Sequence, residues 1–306
     1  MTSMSRIACI GEVMIELIAG NGNAAELNVA GDTYNTAVYL KRQGKNLDVD
    51  YVTALGSDRF SDRILGHMNS HHVGTRAVAR HPDRMPGLYA IETDASGERS
   101  FSYWRNTSAA RTLFDGDGPD GTARDPGDIM ANYDVVLLTG ITLAILSPKA
   151  RDRLIQAIDS YRAKGGKIAF DSNYRPHLWS APETARDATE AMWRRADIAL
   201  PSVDDEMALF GDRDEAAVRT RLSLFGVTAG ALKRGEAGPV DLGPCGTRAL
   251  VPAATSVVDT TAAGDSFNAG YLAALASGQA SDTAMIAGHN LALQVIAKRG
   301  GIVDTD

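Results

Sequence analysis

The sequence predicts an α/β fold: a mostly parallel sheet with helices packed against it, and a small β-sheet lid. Three observations predict it. Short apolar runs alternate with amphipathic stretches, as strands and crossover helices do in parallel sheets. Several runs stop at a polar residue or a glycine, as strands do at a ligand crevice. Two early segments depart from the alternation and read as antiparallel strands.

In chain order, strands are expected at Ile7–Ile10, Val49–Ala54, Val135–Thr139, Lys167–Asp171, Ile198–Pro201 and Ala229–Lys233. Helices are expected over Thr33–Gln43, Asp62–His72, Pro148–Lys164, Pro182–Arg195, Ala216–Phe225, Asp265–Ser277 and Ser281–Lys298. Ser147-Pro148 and Gly165-Gly166 give one of these helices a clean start and stop. The two departing segments are Met14–Ala30, turning at Gly20-Asn21-Gly22, and Met85–Trp104, turning at Asp94–Gly97. The second alternates around Leu88, Ala90 and Ile91, then Phe101, Tyr103 and Trp104. Together they predict a lid over the strand ends, at approximately residues 14–30 and 85–107. Asp115–Pro126, rich in Gly, Asp and Pro, reads as a surface loop. With no internal repeat, residues 1–306 read as one large domain carrying that lid.

Composition narrows the function classes. Apolar residues make up 44% of 306, enough to offset chain entropy, so a disordered or fibrous chain is excluded. The balance of 31 Lys plus Arg against 38 Asp plus Glu, net −7, argues against a nucleic-acid or membrane-surface binder. Thirty glycines, about 10%, exceed the usual ~7%, and turns that bring backbone close to a ligand are one use for them. Cys9 and Cys245 form no C-x-x-C pair, which points to a reduced, cytoplasmic setting. The start is too soon interrupted for a signal peptide. The longest apolar stretch, Val135–Leu146, is broken by Thr139-Gly140 and far short of the ~20 residues of a membrane span. His67 and His71 stand four apart on an expected helix with no third ligand, so they read as a solvated face. Trp179 and Trp193 read as packing residues.

Three segments carry chemistry. In the run Asp259-Thr260-Thr261-Ala262-Ala263-Gly264-Asp265, small side chains open a helix start whose amides can converge on an anion. Asp265 either caps that helix or takes a proton from a hydroxyl while the amides stabilise a transferring phosphoryl group. The second is Lys233-Arg234-Gly235-Glu236-Ala237-Gly238, a basic glycine turn that alone reads more as a plain surface turn than as a phosphate site. In the third, Ala30-Gly31-Asp32-Thr33-Tyr34-Asn35, Gly31 permits close backbone approach. There Asp32 and Asn35 either bond hydroxyls or start an ordinary capped helix. No Walker A, H-R-D or D-F-G motif is present, and Gly20-Asn21-Gly22 lacks the third glycine of a dinucleotide fingerprint.

These segments, in this order and spacing, resemble the PfkB (ribokinase-like) family of carbohydrate kinases along nearly the whole chain. Pro86-Gly87-Leu88-Tyr89, Tyr103-Trp104-Arg105-Asn106 and Asp171-Ser172-Asn173-Tyr174-Arg175-Pro176 extend the likeness toward its 2-keto-3-deoxygluconate-phosphorylating members. Ala262 stands where the family pattern D-T-x-G-A-G-D has glycine. The resemblance implies a ribokinase-like three-layer α/β/α fold, ATP as donor and Mg²⁺ bridging its phosphates. It implies Asp265 as base and Ala262, Ala263 and Gly264 as anion hole. Sugar contacts would come from Gly31, Asp32, Asn35, Tyr89, Tyr103, Arg105 and Arg175. Nucleotide contacts would come from Asn173, Arg175, Lys233, Gly235, Gly238, Thr261, Ala263, Gly264 and Asn290. Asp259 and Thr261 would organise a monovalent cation such as K⁺. The family's N-x-x-E pattern near Mg²⁺ reads here Val203-Asp204-Asp205-Glu206, so Glu206 remains, acting indirectly on the metal, and Asp204 and Asp205 either replace the asparagine or simply open a charged helix.

Two arginines near the acceptor favour a sugar acid, because a planar guanidinium binds a carboxylate bidentately. The expected reaction is ATP-dependent phosphorylation of the 6-hydroxyl of 2-keto-3-deoxy-D-gluconate. A kinase of a neutral sugar (fructose or ribose) and a non-catalytic sugar-acid-binding protein are the alternatives. Apolar lid positions further suggest a homo-oligomer, a dimer or higher.

Overall fold

A computed structural model describes residues 4–20, 24–93, 99–115, 125–244 and 246–305. The chain runs β1 (Arg6–Ile10), β2 (Met14–Ala19), β3 (Ala25–Ala30), α1 (Asp32–Gln43), β4 (Asp48–Leu55), α2 (Arg59–Ser70) and β5 (Val78–Arg80). It continues through β6 (Gly87–Thr93), β7 (Arg99–Trp104), α3 (Pro126–Met130), β8 (Val135–Thr139), α4 (Gly140–Ile145), α5 (Pro148–Ala163) and β9 (Lys167–Asp171). Then come α6 (Pro182–Trp193), β10 (Ile198–Ala199), α7 (Val203–Phe210), α8 (Glu215–Leu224), β11 (Ala231–Leu232), β12 (Val240–Asp241), α9 (Ala263–Ala276) and α10 (Ser281–Ile296).

The six strands β10-β9-β8-β1-β4-β5 form a sheet whose neighbouring pairs are all parallel. Side chains alternate across it. Ile7 and Cys9 face a core shared with α1, α2, α9 and α10, whereas Ala8 and Ile10 face one shared with α5, α6 and α8. Both faces are therefore covered, which is why these strands read as unbroken apolar runs. The second core centres on the fully buried Trp193, set edge-on to Phe170 at 4.7 Å.

The sequence order places the site. From β1 the sheet grows outward through β4 and β5, then the chain returns to β8 on the other flank and grows outward again. Connections leaving β1 and β8 diverge, and that switch opens a crevice above the strands' carboxyl ends. The segments inserted after β1 and β5 meet over this end as a second sheet, β3-β2-β6-β7. Hairpins β2–β3 and β6–β7 are antiparallel as expected, and they are joined by a parallel β2–β6 pairing that pairs Met14 with Gly87 and Ile18 with Ile91.

Three expectations need correction. The strands near Ile198–Pro201 and Ala229–Lys233 are shorter, Ile198–Ala199 and Ala231–Leu232, with Pro201 unable to donate to a ladder. The charged helix start read at Asp204–Glu206 is present: residues 203–210 form a helix, capped by Ser202, with Asp204, Asp205 and Glu206 in its first turn beside the positive dipole end. α2 starts three residues early, since Asp58 accepts from the Phe60 and Ser61 amides. His67 is half-buried rather than solvated: its Nδ1 lies 2.6 Å from the Tyr34 hydroxyl, and burial pushes the imidazole down to about 4. The turn residues Asn21, Gly22 and Asp94–Gly97, most of the 115–126 loop and Cys245 lie outside the described residues.

Candidate functional site

Above the carboxyl ends of the sheet lies a cleft of about 980 Å³. Its walls come from several elements: Gly31, Asp32 and Asn35 at the start of α1, Tyr89 and Tyr103 from the lid, Arg105 just past it. Asp171 ends β9, Asn173 and Arg175 follow it, Lys233 and Gly235 follow β11, and Thr261 to Asp265 open α9.

Asp265 is the third residue of α9, and the helix is capped by Ala262 with no side-chain bond. The capping alternative therefore falls. The carboxylate reaches across to α1, where Asn35 Nδ2 donates to its Oδ2 at 2.9 Å, and among the described residues Oδ1 has no donor. Thr36 ties the same two helices, donating to the Asp265 carbonyl at 3.1 Å. Burial, reinforced by the charge of Asp32, pushes the Asp265 carboxyl up to about 8, with Asn35 and Lys233 opposing. A carboxyl poised near neutral pH is suited to receiving a proton.

Asp32 is no cap either. Its Oδ2 accepts from Thr139 Oγ1 (2.6 Å) and Asn173 Nδ2 (2.9 Å), strapping α1 to the ends of β8 and β9. Gly31 is needed for approach, because a Cβ there would collide with the Glu12 carbonyl.

The helix start departs from expectation in two ways. Ala262 sits at φ 60°, ψ 15°, the left-handed region where glycine is at ease and alanine strained. Ala263 is not a free donor, since its amide already donates to the Thr260 carbonyl at 3.2 Å. The amides of Gly264 and Asp265 are left to receive an anion, first-turn donors having no acceptor within a helix.

On the far side, Lys233 Nζ donates to Asp171 Oδ2 (2.5 Å) and Asn268 Oδ1 (3.1 Å), while Asn268 Nδ2 donates to the same Asp171 oxygen (2.7 Å). That net fixes the lysine beside the start of α9. Arg234 is consumed in shaping the loop, donating to the Gly238 and Ala237 carbonyls and pairing with Glu215. Gly235 (φ 54°) and Gly238 (φ 70°) supply the left-handed turns this requires, and Gly238 itself does not line the cleft.

Arg105 carries a partner that the sequence did not reveal. Its Nε donates to Glu12 Oε2 at 2.8 Å, Nη2 reaches the same oxygen, and Ser108 donates to Oε1 at 2.5 Å. Both charges are buried, and among the described residues Nη1 makes no hydrogen bond. Arg175 is looser: its Nη1 donates to the Tyr174 carbonyl and meets Asp205 at 3.4 Å. In the lid, Tyr89 and Tyr103 stack at 5.8 Å, and the Tyr89 hydroxyl donates to buried Glu16 at 2.5 Å.

Besides Gly238, three expected residues lie off the cleft. Asn290 is exposed to solvent and the preceding His289 takes the lining position, its Nε2 2.8 Å from the Pro252 carbonyl. Glu206 is buried behind the wall against Arg221 (2.9 Å), and burial pushes it up to about 7. Asp204 and Asp205 form the wall in its place. Asp259 is likewise set back, its Oδ1 accepting from Thr261 Oγ1 (2.7 Å) and its Oδ2 from the Gly300 amide (2.8 Å). Sequence reasoning missed Glu12, Glu16, Asp171 and Asn268. A signal existed for Glu12 and Asp171, each an acid at or just past a strand's carboxyl end.

Magnesium that keeps several waters and binds through phosphates needs few protein carboxylates. Asp171 and Asp205 influence one another across the same part of the cleft, and no cluster of three His, Cys, Asp or Glu ligands occurs among the described residues. This set fits a magnesium ion carried by a nucleotide and held through water.

Comparison with known proteins agrees with this geometry. Residues 4–306 match the family described as pfkB family carbohydrate kinase. The chain is 42% identical over 305 residues to the 2-dehydro-3-deoxygluconokinase of Escherichia coli, covering 97% of each. It is 44% identical to the 2-dehydro-3-deoxygluconokinase of Dickeya dadantii, covering 97% of this chain and 96% of that one. Among solved structures, a 2-dehydro-3-deoxygluconokinase from Thermotoga maritima superposes with a TM-score of 0.84 at 20% identity, over 97% of this chain and 95% of the other. A putative ribokinase II from Escherichia coli, in complex with ATP and Mg²⁺, gives 0.81 at 22%, over 97% and 94%.

Proposed function

We infer the reaction from family and site together: the chain belongs to the pfkB family of carbohydrate kinases, and it phosphorylates 2-keto-3-deoxy-D-gluconate on its 6-hydroxyl with ATP. One observation carries this reading. A single cleft gathers a carboxylate poised near neutral pH, a helix start with free amides, and two arginines on the lid side and at the end of β9.

In this reading the sugar lies between the lid and α1, with Asp32 and Asn35 on its hydroxyls. Tyr89 and Tyr103 cover it, and Arg105 and Arg175 meet its carboxylate. The terminal hydroxyl donates its proton to Asp265 Oδ1 as its oxygen attacks the γ-phosphorus. The bond from that phosphorus to the β-γ bridging oxygen breaks, and ADP leaves. The Gly264 and Asp265 amides and Lys233 meet the charge that develops on the transferring group. Bound magnesium would neutralise phosphate charge, with Asp171 and Asp205 holding its waters.

The same reading places the nucleotide against Asn173, Gly235, Thr261 and His289. It puts a monovalent cation beside the turn that Asp259 ties to Thr261 and Gly300. It treats residues 1–306 as one cytoplasmic kinase unit that self-associates through exposed lid residues such as Phe101 and Trp104. No helix among the described residues is long and apolar enough to cross a membrane. One observation favours a neutral-sugar kinase: Glu12 already compensates Arg105. Exposed Arg175, whose partner Asp205 stands 3.4 Å away, keeps a cation for the acid.

A coupled ATP-consumption assay decides between them, run on 2-keto-3-deoxygluconate, fructose and ribose. The acid should give the highest kcat/KM. Higher turnover of fructose or ribose would overturn the reading, and sugar-acid binding without ATP turnover would leave only a binding protein.

A further inference from the structure

His177 lies in the short 3-10 turn Pro176–Leu178, two residues beyond Arg175 on the core side of the cleft. Its ring stacks on Tyr103 of β7, with centroids 5.5 Å apart and planes 29° apart. Tyr103 in turn stacks on Tyr89 and on Phe101, and the Arg105 guanidinium lies over its ring at 6.0 Å. Tyr89 is anchored through its hydroxyl to Glu16. The result is a ladder of rings. One end is fixed inside the lid sheet, and the other rests on a turn belonging to the opposite wall.

β7 is the edge strand of the lid, paired on one side with β6. Its Tyr103 is 42% exposed, so little else packs around it. Beside the stack sit the guanidiniums of Arg105 and Arg175. Burial and those two charges hold the imidazole below its usual value, which keeps the ring neutral and suited to stacking on an aromatic face.

We propose that His177 is a positioning residue: by stacking on Tyr103 it latches the lid's edge strand to the core and fixes Tyr103 and Arg105 at the acceptor end of the cleft. It touches neither the transferred phosphoryl group nor the base. The proposal rests on the acceptor site described above, and it concerns ground-state closure around the sugar rather than the chemical step.

The test compares the wild type with His177→Ala and His177→Phe, using steady-state kinetics on 2-keto-3-deoxygluconate and hydrogen exchange of the β7 amides without ligand. A ring stack of this kind corresponds to about a two- to tenfold change in an equilibrium. His177→Ala should therefore raise the sugar KM about two- to tenfold, leave kcat within about twofold, and speed exchange in β7. His177→Phe keeps the stack without an ionisable ring and should return both readouts to near wild type. Unchanged KM and exchange in His177→Ala would overturn the latch. So would a phenylalanine variant that behaves like the alanine one, because the role would then belong to the imidazole's polar chemistry. The wild-type arm separates this from the substrate reading. If only fructose or ribose is turned over, that reading fails and the three proteins are compared on that sugar. The exchange measurement stands in either case.

Discussion

Replacing Asp265 by Asn tests both halves of the site argument, because removing the charge should have opposite effects on activity and stability. The wild-type carboxyl is pushed up to about 8, from an ordinary 3.8, first by burial and then by Asp32. Between those two values the folded protein holds a proton that the unfolded chain has released, so the group's contribution to stability falls as pH rises through that window. At about 1.36 kcal/mol per pH unit the gap is about 5–6 kcal/mol above pH 8. The carboxylate partly faces an open cleft, and solvent screening there reduces this to roughly half, ~2–3 kcal/mol. An amide at this position does not titrate, and its oxygen can still accept from Asn35. Asp265→Asn should therefore melt about 4–6 °C above the wild type at pH 9, at about 2 °C per kcal/mol for a chain of this length. The gain should be under about 2 °C at pH 5. Its kcat should fall about 10²- to 10⁴-fold, the usual contribution of a positioned base. Two measurements suffice: thermal melts at both pH values, and ATP consumption with the sugar acid. Turnover near wild type would remove Asp265 from the base role. A melting temperature lowered equally at both pH values would refute the claim that the buried charge is costly.

Other perturbations follow from the same contacts. Ala262→Gly relieves a left-handed alanine and should raise the melting temperature by about 2 °C, for about 1 kcal/mol of relieved strain, with kcat unchanged; a lower melting temperature would count against it. Arg105→Ala should raise KM for the sugar acid more than for fructose, and it should destabilise by about 3 kcal/mol in chemical denaturation because Glu12 is left buried without its cation. Adding Glu12→Gln should recover part of the stability but none of the acid preference; equal KM losses on both sugars would show that Arg105 does not read the carboxylate. For the wild type, kcat/KM should rise with pH and flatten above about 8, where Asp265 is charged in the free enzyme. Lys233→Met should move that rise to higher pH, since Lys233 opposes the upward push on Asp265; an unmoved acid limb would separate the two groups.

The parts of this protein that were legible in its sequence are those set by local chemistry. A parallel strand buried on both faces must be apolar throughout, so β1, β4, β8 and β9 appear as runs within a residue or two of their observed ends. The turn at 259–265 shows itself because small residues before a helix have few other reasons to cluster. What escaped were pairings between distant segments. Glu12 meets Arg105 across 93 positions and Asn268 meets Asp171 across 97, and no spacing along a chain announces such contacts. α7 was legible only as one of two readings. Ser202 and three acids form a capped first turn, and the same acids also read as a metal motif, so the local pattern alone could not choose between helix start and metal site. Asn290 was misplaced by one residue. On a helix one position is about 100°, enough to exchange a cleft-facing side chain for a solvent-facing one.

A net charge of −7 opposes the binding of two anions only at long range, and the cleft acts at short range. Asp32, Asp171 and Asp265 all face the same space, and unopposed they would repel both phosphate and sugar acid. Each is instead engaged differently. Asp171 is paired with Lys233 and accepts from Asn268. Asp32 accepts from the neutral donors Thr139 and Asn173, and after burial it is the next cause raising Asp265. Asp265 is thereby left protonated near neutral pH in the free protein, so it does not repel an arriving nucleotide. Arg105, Arg175 and Lys233 line the same cleft, within a few ångströms of where the anions would lie. Diffuse surface charge, by contrast, is screened by salt beyond about 8 Å. Burial first, and the neighbouring Asp32 after it, thus hold Asp265 above the ordinary carboxylate range in the free protein. It follows that Asp32→Asn should lower the pH at which kcat/KM rises, whereas Lys233→Met raises it. Opposite displacements of one acid limb by two substitutions on either side of Asp265 would locate its control in this triad, and parallel displacements would refute it.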